Sequence, residues 1–363
     1  IHRLSEWMSD HELMDAAVQE RLNRLEAQVR SDKVMVAFVA EFSRGKSELI
    51  NAIFFADYGR RIMPASAGRT TMCPTELGYD ASLAPSLRLL PIETRLQLQG
   101  LAEWRVKPER WIEIPLDVNN ADQIAKALEK VAEVRKVTLD NARALGFWHD
   151  ELADENPVPD SEGLVEVPMW RHAIINIPHP LLKQGLVILD TPGLNAVGAE
   201  PELTVNLIPQ AHAVVFILSA DTGVTRSDLS IWREHLATSV DSLDARLVVL
   251  NKIDTLWDTL NSPDEILAQM NRQCMTSADM LGVPLQQVVP VSAQKGLVAK
   301  ITCDDLLLES SGLPVLEEAL AKGIMGRRQA ILRAAVATGV GSLRAETSRV
   351  INIRRRDLDV QMA

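Results

Sequence analysis

The sequence predicts an α/β fold: a mostly parallel central sheet with an enlarged insertion, and a helical neck formed by the two ends of the chain. Three observations carry this. Apolar runs at 34–39, 173–177, 186–189, 214–218 and 247–250 are separated by helical patterns, with a last run at 288–291. The first run leads directly into the loop Ala40-Glu41-Phe42-Ser43-Arg44-Gly45-Lys46-Ser47. Amphipathic stretches flank the whole.

In chain order, Ser9-Asp10-His11-Glu12 reads as a capping box that opens a helix. Met14, Val18, Leu22, Leu25 and Val29 then recur at three- and four-residue steps along it. The run 34–39 suits a strand buried on both faces. Between Thr71 and Asp190 lie 118 residues, whereas two strands and a turn need only about 15 to 20. A large insertion is therefore expected. Its middle, 121–145, reads as one helix carrying Ile124, Leu128, Val131 and Val134, and the acidic stretch 150–162 as a surface loop. From Arg327 onward, Ile331, Leu332, Val336, Val340, Leu343, Val350 and Ile353 predict a helix that is locally rich in arginine, read as a solvated face or as a surface for lipid or a partner.

The 363 residues include 49 acidic and 38 basic side chains, a net charge of −11, which argues against a chain that coats nucleic acid. Cys73, Cys274 and Cys303 lack metal-ligand spacing, so neither a zinc site nor a disulfide framework is expected. No apolar run approaches the roughly 18 residues of a membrane span. The expected location is cytoplasmic, or peripheral at the inner face of a membrane. The chain opens at Ile1 and closes at Ala363 within helix-like sequence, which reads as part of a longer protein.

The chemistry is concentrated at strand ends. In the loop 40–47, backbone amides would wrap a β-phosphate, Lys46 would neutralise β- and γ-oxygens, and the Ser47 hydroxyl would ligate Mg²⁺. Ala40 replaces the usual first glycine and is tolerable if its φ stays negative. Glu48 brings a negative charge close to the phosphates and is expected to point away. Asp190-Thr191-Pro192-Gly193 ends the run 186–189: Asp190 would hold Mg²⁺ through water, and the Gly193 amide would sense a γ-phosphate. Asn251-Lys252-Ile253-Asp254 ends the run 247–250. The Asp254 carboxylate would accept two hydrogen bonds that guanine donates and adenine lacks, Lys252 would stack along the base, and Asn251 would tie this loop to the phosphate loop. Ser292-Ala293 would supply an amide to guanine O6. The ordered set predicts binding of GTP and GDP, with hydrolysis of GTP.

The loop 40–50, Arg69-Thr70-Thr71-Met72-Cys73-Pro74-Thr75-Glu76-Leu77, the long insertion and Asp190-Thr191-Pro192-Gly193-Leu194-Asn195 resemble bacterial members of the dynamin superfamily over roughly 34–323. The resemblance implies a dynamin-type GTPase domain at 32–323, flanked by neck helices at 1–31 and 324–363. It implies that Thr71, or Thr70 in competition with it, ligates Mg²⁺ and helps place the attacking water. It further implies that Ser43 helps hold K⁺ or Na⁺, that Arg44 reaches phosphate or a facing subunit, and that the segment 221–228 reaches across a homodimer of GTPase domains. Leu194 stands where many small GTPases keep a water-orienting glutamine, so catalytic help is expected from a cation and a facing subunit. Membrane lipid would be met by the stalk region of such a protein, with remodelling as the outcome. A ribosome-assembly GTPase and a nucleotide-dependent scaffold with little turnover remain alternatives.

Overall fold

Nine strands form one sheet in the order β11-β10-β9-β1-β8-β2-β7-β3-β4. They are β1 (Val34–Ala40), β2 (Thr75–Gly78), β3 (Ser86–Pro91), β4 (Ile112–Pro115), β7 (Trp170–Asn176), β8 (Leu186–Asp190), β9 (Ala213–Ser219), β10 (Arg246–Asn251) and β11 (Val288–Pro290). The computed structural model describes residues 2–11, 13–15, 18–19, 21–23, 25–26, 32–64, 73–97, 99–150, 156–191, 208, 211–236, 245–258 and 260–362. β1, β8, β9, β10 and β11 run parallel to their neighbours in this set. They therefore present Ala40, Asp190, Ser219, Asn251 and Pro290 along one edge of the sheet. Every residue of β8 and β9 is buried, as expected for strands covered on both faces, and the near-continuous valine, isoleucine and leucine content follows from that burial.

The other half of the sheet is built differently. β2 is antiparallel to β8 and parallel to β7, while β3 is antiparallel to both β7 and β4. The insertion thus extends the sheet as well as sitting beside it. The single helix expected at 121–145 is not formed. A helix Ala121–Glu129 ends in a 3₁₀ turn, β5 (Val134–Thr138) pairs antiparallel with β6 (Leu164–Pro168), and a second helix Leu139–Ala144 follows. Thr138 accepts a hydrogen bond from the Asn141 amide and so starts that second helix afresh. The apolar spacing was helical in count, but Val137 is held between strands: with Val165, Val167, Ile92, Leu145 and Phe147 it forms a separate small core. The described part of the acidic stretch, 156–162, is loop as expected.

The ends of the chain also depart in detail. Ser9 and Asp10 finish a helix, His2–Asp10, instead of opening one, and Glu12 lies outside the described residues. The described residues from Val18 to Glu26 are helical, and Leu22 and Leu25 bury against Leu343 of the helix Arg328–Met362. Gly339 permits this approach, since a Cβ there would meet Leu25 Cδ2 at 2.5 Å. Arg21 adds an ion pair to Glu346 at 2.6 Å. Of the C-terminal apolar series, Ile331, Leu332 and Leu343 are buried, whereas Val350 and Ile353 are exposed.

Candidate functional site

The phosphate loop is shaped by two left-handed residues, Ser43 (φ 64°) and Gly45 (φ 85°). Gly45 is required twice over: its φ disfavours a side chain, and a Cβ would collide with Asn251 Nδ2. Ala40 is not among the left-handed residues, which meets the condition that makes it acceptable there. The helix Lys46–Ile50 follows, continuing through a π-helical turn at Asn51–Phe55, and is anchored by Leu49, Ile50, Ile53 and Phe55 in the main core. Burying each such side chain contributes about 1.5–3 kcal/mol, which fixes the loop on a rigid base.

Lys46 is 9 % exposed, and its ammonium donates to Asp190 Oδ1 and to the Thr191 carbonyl. The cation is thus held where the ends of β1 and β8 meet. Asp190 Oδ2 is buried without a hydrogen-bond partner among the described residues. An orphan carboxylate oxygen on the residue that pairs with Lys46, the neighbour of Ser47 in the first turn of the helix, is the kind of donor that Mg²⁺ prefers. Glu48 does point away: its carboxylate takes hydrogen bonds of 2.6–3.0 Å from Arg61. Phe42 is exposed. Thr70, Thr71, Gly193 and Leu194 lie outside the described residues.

On the guanine side, Asn251 Nδ2 donates to the Arg44 carbonyl at 2.8 Å and so joins the two loops, as expected. Asp254 Oδ1 accepts from the Ser292 hydroxyl at 2.6 Å, which orients the carboxylate. Lys252 has a left-handed backbone (φ 61°), and its ammonium sits 3.2 Å from Asp221. Asp221 was not foreseen as a partner of Lys252. Burial acts to raise its carboxyl pKa, but hydrogen bonds from Ser219 and Lys252, and then the charges of Lys252 and Arg44, outweigh it and hold the group below its ordinary range.

Two groups expected at the ligand make contacts within the chain. The amides of Ser292 and Ala293 donate within the chain, to the Ser311 carbonyl at 2.7 Å and to Asn251 Oδ1 at 3.0 Å. Arg44, expected to reach phosphate or a facing subunit, is engaged within its own chain. It is 6 % exposed, and its guanidinium donates to Glu41, Thr222, Thr225 and Asp228 of its own chain, because Asp228 is fully buried and needs a cationic partner. Thr225 and Asp228 form a reciprocal capping box for the helix Arg226–Ile231. The threonine three residues before the aspartate was the readable signal for that turn.

With this geometry in view, the profile of the Dynamin family matches residues 36–254, and that of the Elongation factor Tu GTP binding domain matches 174–336. The chain is 23 % identical to the bacterial dynamin-like protein of Nostoc punctiforme over 63 % of its own length and 26 % of the relative's. It is 24 % identical to the transmembrane GTPase Marf of Drosophila melanogaster over 86 % of its length and 31 % of Marf. Among solved structures, an oligomerised bacterial dynamin pair superposes with a TM-score of 0.50 at 15 % identity, covering 99 % of this chain and 49 % of that one, a likeness of fold. The chain spans between 14 % and 34 % of the length of the curated relatives it matches. A profile covering more than half of the chain, laid over strand ends that bear Lys46, Asp190 and Asn251 in the expected order, places the chain in the dynamin family.

Proposed function

We propose that the chain binds GTP through the loop 40–47, Asp190 and the segment 251–254, hydrolyses it to GDP and phosphate, and uses the cycle to move a neck made from 1–31 and 324–363 against a GTPase domain at 32–323. The observation that carries this is the set of cross-links at one sheet edge: Lys46 to Asp190, Asn251 to the Arg44 carbonyl, and Ser292 to Asp254. They hold Lys46 and Asp254 on adjoining loops, where the first would meet phosphate and the second guanine of a nucleotide spanning the edge.

Ser47, Asp190 through water and Thr71 are the candidate holders of Mg²⁺, which when bound would neutralise charge building on the phosphate oxygens. Lys46 would contribute its own charge to those oxygens, and Asp254 would select guanine. Ser43 remains the candidate contact for K⁺ or Na⁺. Two GTPase domains would face each other across the nucleotides. The segment 221–228 would contribute through its exposed tip, Asp221, Thr222 and Arg226, and not through the buried Asp228. Membrane remodelling is proposed for the intact protein from the family and from the relatives named above.

Phosphate release from GTP, measured with and without Mg²⁺ and over a wide range of protein concentration, tests the reading. Turnover that requires Mg²⁺ and rises per subunit with concentration is expected. Tight binding with no turnover at any concentration would leave only a scaffold.

A further inference from the structure

We propose that Arg44 and Asp228 are a positioning pair that couples the phosphate subsite to the guanine subsite within one subunit. The proposal rests on the guanine-nucleotide reading above and assigns Arg44 a role other than contact with phosphate.

Asp228 Oδ2 accepts hydrogen bonds from the Arg44 guanidinium at 2.9 Å, from the Thr225 amide at 2.9 Å and from the Thr225 hydroxyl at 2.8 Å. The first turn of the helix Arg226–Ile231 is thereby stapled to the phosphate loop by a charge pair removed from solvent. The second nitrogen of the guanidinium fork donates to Thr222. A planar fork with several fixed donors suits this role, and a lysine would satisfy fewer of the acceptors.

The stapled segment continues to the base-reading loop by two routes. The Ala220 amide donates to the Asn251 carbonyl at 2.8 Å, and Asp221 holds the Lys252 ammonium. Arg44 itself accepts from Asn251 through its own carbonyl. One residue of the phosphate loop is therefore tied by its main chain to Asn251 and by its side chain to the segment that positions Lys252. Lys252 holds a left-handed backbone that a non-glycine residue adopts only when its surroundings enforce it. Releasing Arg44 removes part of that enforcement, so the effect should reach the base although Arg44 does not touch it.

The measurement is equilibrium binding of GDP and of inosine diphosphate, which lacks the guanine amine, to the full chain and to Arg44→Ala, Asp228→Asn and the double variant. GDP is used because it carries no γ-phosphate and is not turned over. Each single variant is expected to weaken GDP binding by about 10-fold and to lower the GDP-to-IDP preference by about 3-fold or more, with the double variant no worse than the weaker single one. Equal losses for both nucleotides, a loss confined to GTP turnover, or single losses that multiply would overturn the coupling. If either substitution prevents folding, Arg44→Lys and Thr222→Val weaken the same link more gently. A lowered preference in both supports the coupling, and an unchanged one in both overturns it. A parent protein that binds GDP no better than ADP overturns the guanine reading as well. One that prefers GDP while Arg44→Ala keeps the GDP-to-IDP ratio intact overturns the coupling alone.

Discussion

The two halves of the sheet answer to different constraints. In the half built from β1, β8, β9, β10 and β11, all strands are parallel and end at one edge, and that edge carries the charged groups with direct work to do. In the half built from β2, β7, β3 and β4, pairings of both senses occur, and its polar groups are spent on holding the insertion in place. Glu76 on β2 accepts from His172 Nε2 on β7 at 2.9 Å and from Arg105. Trp104 and Trp111 close over this region in a small apolar cluster with Leu90 and Leu101. The first half is constrained by a ligand's chemistry at fixed spacing, the second by internal packing and a few buried polar contacts, which many sequences satisfy.

The largest effect that would separate the halves is expected from Lys46→Ala. Removing the cation held between β1 and β8 should lower turnover by at least about 100-fold and weaken GTP binding, as followed by phosphate release and titration. Unchanged turnover would mean that the loop is not the active site. Asp254→Asn should weaken GTP by about 10- to 100-fold while improving xanthosine nucleotides, because the amide offers a donor where the carboxylate offered an acceptor. Competition binding with both nucleotides reads this directly.

In the insertion the signs reverse. Phe147→Ala, in the core shared with Val137, Val165 and Val167, should cost about 3 kcal/mol of stability in denaturant melts. GDP affinity of the folded fraction should stay within about 2-fold of the parent, since the cluster is separate from the core beneath the loops. A large loss of affinity would show that the halves are coupled after all.

Acid should also act away from the nucleotide edge. His212, at the start of β9, accepts from the Met35 amide through Nδ1 at 2.9 Å, and burial lowers its pKa from 6.5 to about 4. The unfolded chain therefore binds a proton at this site between pH 6.5 and 4 while the folded one does not. Stability is present above pH 6.5 and falls as pH is lowered through that window, by up to about 3 kcal/mol. His212→Gln should flatten this part of the pH–stability curve, and an unchanged slope would assign it to other groups. The smallest effect is expected at the start of the helix Arg328–Met362. Arg328 pairs with Asp32 at 2.9 Å and donates to the Gln184 carbonyl at 2.7 Å, and it is partly exposed. Arg328→Ala should cost about 1 kcal/mol and leave GDP binding alone.

The sequence by itself determined the parallel half of the sheet and the order of the motifs at its strand ends. Buried parallel strands show as unbroken apolar runs, and phosphate and guanine each demand particular groups at the strand ends that follow. Tertiary structure decided the rest. The stretch 121–145 became helix, strand and helix because Val137 was recruited to a hairpin core that only forms once 164–168 returns beside it. Arg44, expected to reach phosphate or a facing subunit, pairs in the structure with a buried carboxylate 184 residues away. Nothing local to either residue records that pairing. A buried charge must find its partner in space, and the fold brings the two together by setting the end of β9 beside the end of β1.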